Sequence, residues 1–282
     1  MTAAESALSF DCAGEALVGI MSGAELAARR GVLIVVGGPN YRAGSGRQFT
    51  LLARRLAESG VPALRFDYRG MGDSGGEART FERVGEDIRS AIDRLFAAVP
   101  GLEDVVIWGL CDAASAALMY AHEDARVKGL VLLNPWVRTA QGLARVHLKH
   151  YYVRRLFQAS LWQKLARGEF DFRGAASALR KSVVESIGKR GVSGSSEPEA
   201  PFLERMEDGL RRFRGKVLLI LSGNDLTARE FKDFVAGSAP WQRLLAREGV
   251  TRHDLQEANH TFARRDWRDQ VERWTSDWVR SL

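Results

Sequence analysis

Five short, dominantly apolar runs, Gly31–Val36, Val61–Phe66, Val105–Trp108, Val127–Leu133 and Lys216–Ser222, constrain this chain more than anything else in it. Runs of strand length that lack polar alternation belong to strands covered on both faces. Up to Leu133 they are separated by helical patterns, one carried by Phe49, Leu51, Leu52, Leu56 and Ala57 before Gly60, another spanning about residues 81–98. Strand, turn, helix, strand in that order requires right-handed crossovers and a parallel sheet with helices on both faces. Residues 6–21 read as an antiparallel hairpin turning around Gly14-Glu15 at a sheet edge, about Thr227 to Ala246 as one helix, and Val250–Leu255 as a last strand. The expected fold is therefore α/β: a mostly parallel eight-stranded sheet flanked by helices.

The alternation stops between Arg138 and Arg214. Leu143, Val146, Leu148, Tyr152, Leu156, Leu161 and Leu165 have helical spacing, and Gly188–Ala200 is rich in Gly, Ser, Glu and Pro, the composition of a mobile loop. The reading is a helical cap at 138–214 inserted into a core made of 1–137 and 215–282. The cap carries 16 Lys and Arg against 8 Asp and Glu, whereas the rest of the chain has 25 against 27. The overall formal charge of +6 thus belongs to one segment. No nucleic-acid-binding motif accompanies it, so the expectation is no nucleic-acid partner. The excess suits an anionic group on a small-molecule substrate, peripheral contact with an anionic membrane surface, or a solvated helical face. No stretch approaches the ~20 apolar residues of a membrane-spanning helix. The N-terminal residues lack the pattern of a signal peptide. Cys12 and Cys111 make no metal or redox spacing, so the expectations are reduced thiols, a cytoplasmic location, and neither metal nor cofactor. Asp67–Gly76 is glycine-rich but fits neither phosphate-loop pattern.

Chemistry points to Val105–Ser115. A strand runs into Gly109, Cys111 follows two positions later, and an alanine-rich helical stretch begins at Ala113. This is G-x-C-x-A, the outline of a nucleophile elbow, G-x-S-x-G, with cysteine for serine and alanine for the last glycine. A five-residue pattern means little alone. However, Asp225 and His260 also lie just past predicted strands, where sites assemble in open α/β sheets. Nucleophile, acid and histidine follow one another in the order of the α/β-hydrolase triad. Other roles remain open at this stage: a helix N-cap for Asp225, a surface-loop position for His260, a buried apolar packing role for Cys12.

Residues 31–137 and 216–282 resemble the α/β-hydrolase superfamily. The pieces GGPNYRAGSGRQF, FDYRGMGDSGG, WGLCDAASAAL and ANHTF are similar to the exosortase A system-associated hydrolases of type 1, a group associated with bacterial exopolysaccharide loci. The resemblance implies a Cys111 nucleophile, His260 taking its proton or forming an ion pair with the thiolate and later protonating the leaving group, and Asp225 orienting the imidazole. One oxyanion donor is expected at the N–H of Asp112 and the other in the turn after the third strand. Pro39 has no N–H, which directs attention to Asn40 or Tyr41. Asp112 is either an acid suited to the first turn of a helix or, pointing inward, a charge opposing thiolate formation. The expected activity is ester or thioester hydrolysis through an acyl-enzyme. Acyl transfer to an alcohol or amine and a silent, partner-binding hydrolase fold are the alternatives. Dehalogenation would require aspartate at position 111.

Overall fold

The computed structural model describes residues 4–23, 25, 27–38, 40–138 and 200–282. Pro39 and the inserted stretch 139–199, with its helical reading and nearly all of its loop, lie outside the described residues. The chain divides into a unit of residues 1–137 and 200–282 and a second unit of 138–199. Everything that follows concerns the first.

Eight strands form one sheet: β1 (Glu5–Cys12), β2 (Glu15–Ser22), β3 (Arg30–Val35), β4 (Ala63–Asp67), β5 (Asp104–Leu110), β6 (Val127–Leu133), β7 (Lys216–Ser222) and β8 (Val250–Leu255). Their order is β1-β2-β4-β3-β5-β6-β7-β8. The hairpin β1–β2 is antiparallel, and β2 also meets β4 antiparallel; every later pairing is parallel. The apolar runs are the parallel strands, and the alternation of their side chains divides the core in two. Leu33, Val35, Val105, Ile107, Leu130, Leu132, Val217 and Leu219 pack on one face. Val32, Ile34, Val106, Trp108, Val131, Leu133, Leu218 and Ile220 pack on the other. Burying a side chain of this size is worth about 1.5–3 kcal/mol, so slipping one strand by a residue would forfeit packing on both faces.

Helices cover both layers. Over the described residues these are α1 (Gln48–Glu58), α2 (Gly85–Ala98), α3 (Asp112–Tyr120), α4 (Phe202–Arg212), α5 (Leu226–Ala236), α6 (Ala239–Leu245) and α7 (Arg265–Ser281). Ile88, Ala91, Ile92 and Leu95 of α2 and Met206 and Leu210 of α4 join the first layer, and Phe49, Leu52 and Leu56 of α1 with Val271 and Val279 of α7 join the second. α4 lies within the 138–214 stretch, and it approaches α3 so closely that a Cβ on Gly209 would sit 2.1 Å from the carbonyl oxygen of Leu118. The tryptophans of the last helix are packing residues: Trp267, Trp274 and Trp278 lie on the second layer, and Trp274 stacks on His253 at 4.5 Å.

One helix differs from the sequence reading, and one turn adds to it. The single helix expected from Thr227 to Ala246 is two, because α5 ends at Gly237 and Pro240, in the first turn of α6, has no N–H to continue it. The glycine-rich turn after β4 does wrap an anion, but one belonging to the chain. Asp67 is fully buried, accepts from the N–H groups of Arg42 (2.6 Å) and Asp73 (3.2 Å), and pairs with the Arg42 guanidinium. A Cβ on Gly72 would lie 2.2 Å from its carboxylate, which explains a glycine there. No helix among the described residues is long and apolar enough to cross a membrane.

Candidate active site

β5 carries the chain to the C-terminal edge of the sheet and delivers it into α3 through one residue, Cys111, with φ 63° and ψ −125°. A side-chain-bearing residue in such a conformation costs on the order of 1–3 kcal/mol and persists only where its surroundings over-determine it. Here they do. The N–H of Cys111 donates to Leu133 (2.8 Å), and its carbonyl accepts from Ala114 (3.1 Å), Ser115 (3.3 Å) and Trp136 (3.2 Å). The Ser115 hydroxyl donates to the Trp136 carbonyl at 2.7 Å. Gly109 is required by the same crowding, since a Cβ there would lie 2.7 Å from backbone atoms of Ala113. The G-x-C-x-A pattern is therefore the outline of a helix packed hard against its own strand.

β7 and β8 end two and three strands away from β5 and supply the other two groups. Asp225 N-caps α5: one oxygen, Oδ2, accepts from the Ala228 N–H at 2.9 Å and from His260 Nδ1 at 2.9 Å. Capping the helix and pairing with the histidine, alternatives in the sequence, are one arrangement in the structure. His260 also faces Cys111; because Nδ1 is bonded to Asp225, Nε2 is the nitrogen left for the thiol. The hydrogen bond to Asp225 first, and the nearby Cys111 thiol second, push the His260 imidazole up to about 10 despite its burial. Burial opposes charge on Asp225, but its hydrogen bonds to His260 and to the Ala228 N–H outweigh this and hold it below the usual carboxylate range. The structure thus brings together the three residues the sequence singled out, with the thiol next to a readily protonated imidazole and the imidazole next to a carboxylate. Such a chain can generate a thiolate and return a proton to a leaving group.

The turn after β3 contributes a residue the sequence reading passed over. Asn40 donates its side-chain amide to the Gly37 carbonyl at 3.3 Å, and Tyr41 is 52% exposed with its ring beside the Arg42 guanidinium. The N–H placed against the elbow is that of Gly38, which donates to Asp112 Oδ2 at 3.0 Å. The other oxygen, Oδ1, accepts from the Ala113 N–H at 3.0 Å. Asp112 hence does what an acid in a first helical turn does and also points toward the turn. Burial pushes its pKa up, against the N–H groups of Gly38 and Ala113.

A second unforeseen residue is Asn134, fully buried just past β6 with φ 43°. Its amide donates to the His260 carbonyl at 3.1 Å, and its oxygen accepts from the Ser222 N–H at 2.9 Å. It ties the end of β7, which leads to Asp225, to the loop that carries His260. The available signal was Asn followed by Pro directly after a strand, since asparagine tolerates positive φ better than most residues.

Residues 32–274 match the profile of the alpha/beta hydrolase family. The chain belongs to that family. Among solved structures, this alpha/beta hydrolase is similar to the esterase PF2001 of Pyrococcus furiosus (14% identity, 99% of this chain and 92% of that one, TM-score 0.66). It is also similar to Est1E of Butyrivibrio proteoclasticus, solved with ferulic acid bound (14%, 97% and 98%, TM-score 0.63). A third likeness is to a putative hydrolase of Agrobacterium vitis S4 (17%, 99% and 100%, TM-score 0.58). At these identities the likeness establishes the alpha/beta hydrolase fold alone. No protein of curated function matches the chain in sequence.

Proposed function

We propose that this alpha/beta hydrolase cleaves acyl esters or thioesters through a covalent S-acyl intermediate on Cys111. The observation that carries the reading is the juxtaposition of Cys111, on a strained elbow, with His260, whose Nδ1 is hydrogen-bonded to Asp225. In this mechanism His260 draws the proton from the thiol, and Sγ attacks the acyl carbon. The tetrahedral oxyanion is stabilised by the Asp112 N–H and by a donor of the turn 38–41, where the Gly38 N–H is best placed and Asn40 and Tyr41 follow it. The imidazolium protonates the departing alcohol or thiol, and water then releases the acid. The esterases among the structural neighbours are in keeping with this class, as is ferulic acid, a small carboxylic acid, in one of them.

A second reading, acyl transfer, is favoured by the cysteine itself, because a thioester passes its acyl group to amines and alcohols more readily than an oxygen ester does. A silent binding role is disfavoured by a thiol, an imidazole and a carboxylate gathered at one place, the last two hydrogen-bonded. The four sequence pieces similar to exosortase A system-associated hydrolases suggest work in a bacterial exopolysaccharide system, and the basic 138–214 stretch suggests an anionic group remote from the acyl carbon. The test is intact-mass measurement after exposure to a panel of acyl esters and thioesters. An adduct on Cys111 that discharges to water supports hydrolysis, and one that persists until an amine or alcohol is added supports transfer. Cys111→Ala should abolish turnover of short p-nitrophenyl esters with the fold intact; full retained activity would end the proposal.

A further inference from the structure

We propose that Asp112 is the specificity-determining residue of this site: its carboxylate fills the oxyanion position beside Cys111 in the free protein, and the site prefers acyl groups carrying a cationic substituent next to the reacting carbonyl. The inference rests on the acyl reading above and names its substrate class, α-amino acyl esters and thioesters.

The geometry comes from two separate elements. The Gly38 N–H, from the turn after β3, and the Ala113 N–H, from the first turn of α3, each donate to one oxygen of Asp112 at 3.0 Å. Its own N–H bears on the same carboxylate. The N–H of the residue after the nucleophile and an N–H of this turn are the donors with which an alpha/beta hydrolase receives an oxyanion. In this protein the donor from the turn, the Gly38 N–H, already holds an anion. Gly37 shows that the fit is built in: a Cβ there would lie 2.3 Å from Asp112 Oδ1, so the carboxylate occupies the space a side chain would take.

Charge then selects the acyl group. With Cys111 ionised, the groups that bear on one another here are three anions, Cys111, Asp112 and Asp225, and one cation, His260. Tyr68 also faces Asp112, but burial first and Asp112 second push its phenol up to about 12, so it stays neutral and adds no charge. When Sγ bonds to the acyl carbon, the carbonyl π pair moves onto oxygen, and that oxygen competes with the Asp112 carboxylate for the Gly38 N–H. A neutral acyl group leaves Oδ2 of the carboxylate without the Gly38 N–H, while Oδ1 keeps only the Ala113 N–H. An ammonium on the α-carbon gives Oδ2 a new partner, and it stays bonded through collapse of the intermediate, in which the C–O or C–S bond breaks and His260 gives its proton to the leaving group.

The test compares the wild-type full chain with Asp112→Asn and Asp112→Ala, each checked for folding by circular dichroism. Alkylation of Cys111 by 2-bromoethylamine, iodoacetamide and iodoacetate is followed by peptide mass spectrometry, with rates normalised to those of a free thiol; buried Cys12 is the internal reference. The cationic-to-anionic rate ratio should fall on the order of tenfold in Asp112→Asn, as expected for loss of one partly screened charge a few ångströms away. An unchanged ratio overturns the proposal. In a second arm, alanyl and propionyl ethyl thioesters differ mainly in the ammonium. Wild type should favour the alanyl compound, and Asp112→Ala should lose that preference while turning over the propionyl compound faster. A preference retained in Asp112→Ala also overturns it. If no thioester acylates Cys111 but the alkylation ratio still falls, the acyl reading fails and the charge assignment of Asp112 stands.

Discussion

Replacing Asn134 tests whether the site is held from below, and the structure sets the size of the effect. Asn134→Gly removes both side-chain hydrogen bonds while keeping a residue at ease with φ 43°. The Ser222 N–H, in a 1% exposed residue, then has lost its acceptor, which costs about 1–3 kcal/mol, and the His260 carbonyl loses a bond worth about 0.5–1.5 kcal/mol. The sum is about 1.5–4.5 kcal/mol. Asn134→Ala removes the same bonds and adds left-handed strain of about 1–2 kcal/mol, so it should be the less stable of the two. Urea or guanidinium unfolding reads this directly: both midpoints should fall with unchanged slope, alanine below glycine. Both variants should also lower kcat on any ester the wild type turns over, because the His260 loop is no longer tied to the end of β7. Equal midpoints for the two variants would refute the strain argument, and losses below about 0.5 kcal/mol in both would refute the hydrogen-bond argument.

Two further outcomes follow from the elbow and the acid. Gly109→Ala places a Cβ 2.7 Å from Ala113 backbone atoms, and this overpacking should cost about 1–3 kcal/mol, seen as a melting temperature several degrees lower, with loss of rapid Cys111 alkylation; a variant with wild-type melting and reactivity would contradict it. His260 has a folded pKa raised from 6.5 to about 10, so its contribution to stability is complete below pH 6.5 and lost as pH rises through 10. Asp225→Asn removes the first cause of that shift. The difference in unfolding midpoint between wild type and Asp225→Asn should therefore shrink from pH 6.5 to pH 10, whereas a difference independent of pH would count against the coupling.

What could be read from the sequence was whatever depends on near neighbours or on strand order. The parallel sheet followed from unbroken apolar runs such as Val127–Leu133, and Cys111 followed from Gly109 and Ala113, which lie within one turn of it. Asp225 and His260 were legible because each follows a strand that had to end at the same edge. Asn134 was not, because its role depends on β6 lying beside β7 and on the His260 loop passing over both. The orientation of Asp112 was not legible either, since an acid in a first helical turn looks the same whether or not a distant turn offers it an N–H. The separation of α5 from α6 was signalled by Gly237 and Pro240, but apolar spacing through Trp241 and Leu245 concealed it.

Asp225 joins local helix order to chemistry through a single atom. Oδ2 receives both the first turn of α5 and the imidazole, so fraying of that turn frees the oxygen the histidine depends on. Warming should then silence the nucleophile before the sheet melts, and activity would report on a few residues at the start of one helix long before spectroscopy registered unfolding of the whole. A substitution that tightens α5, far from any bound substrate, would extend the working temperature range without raising the temperature at which the core comes apart.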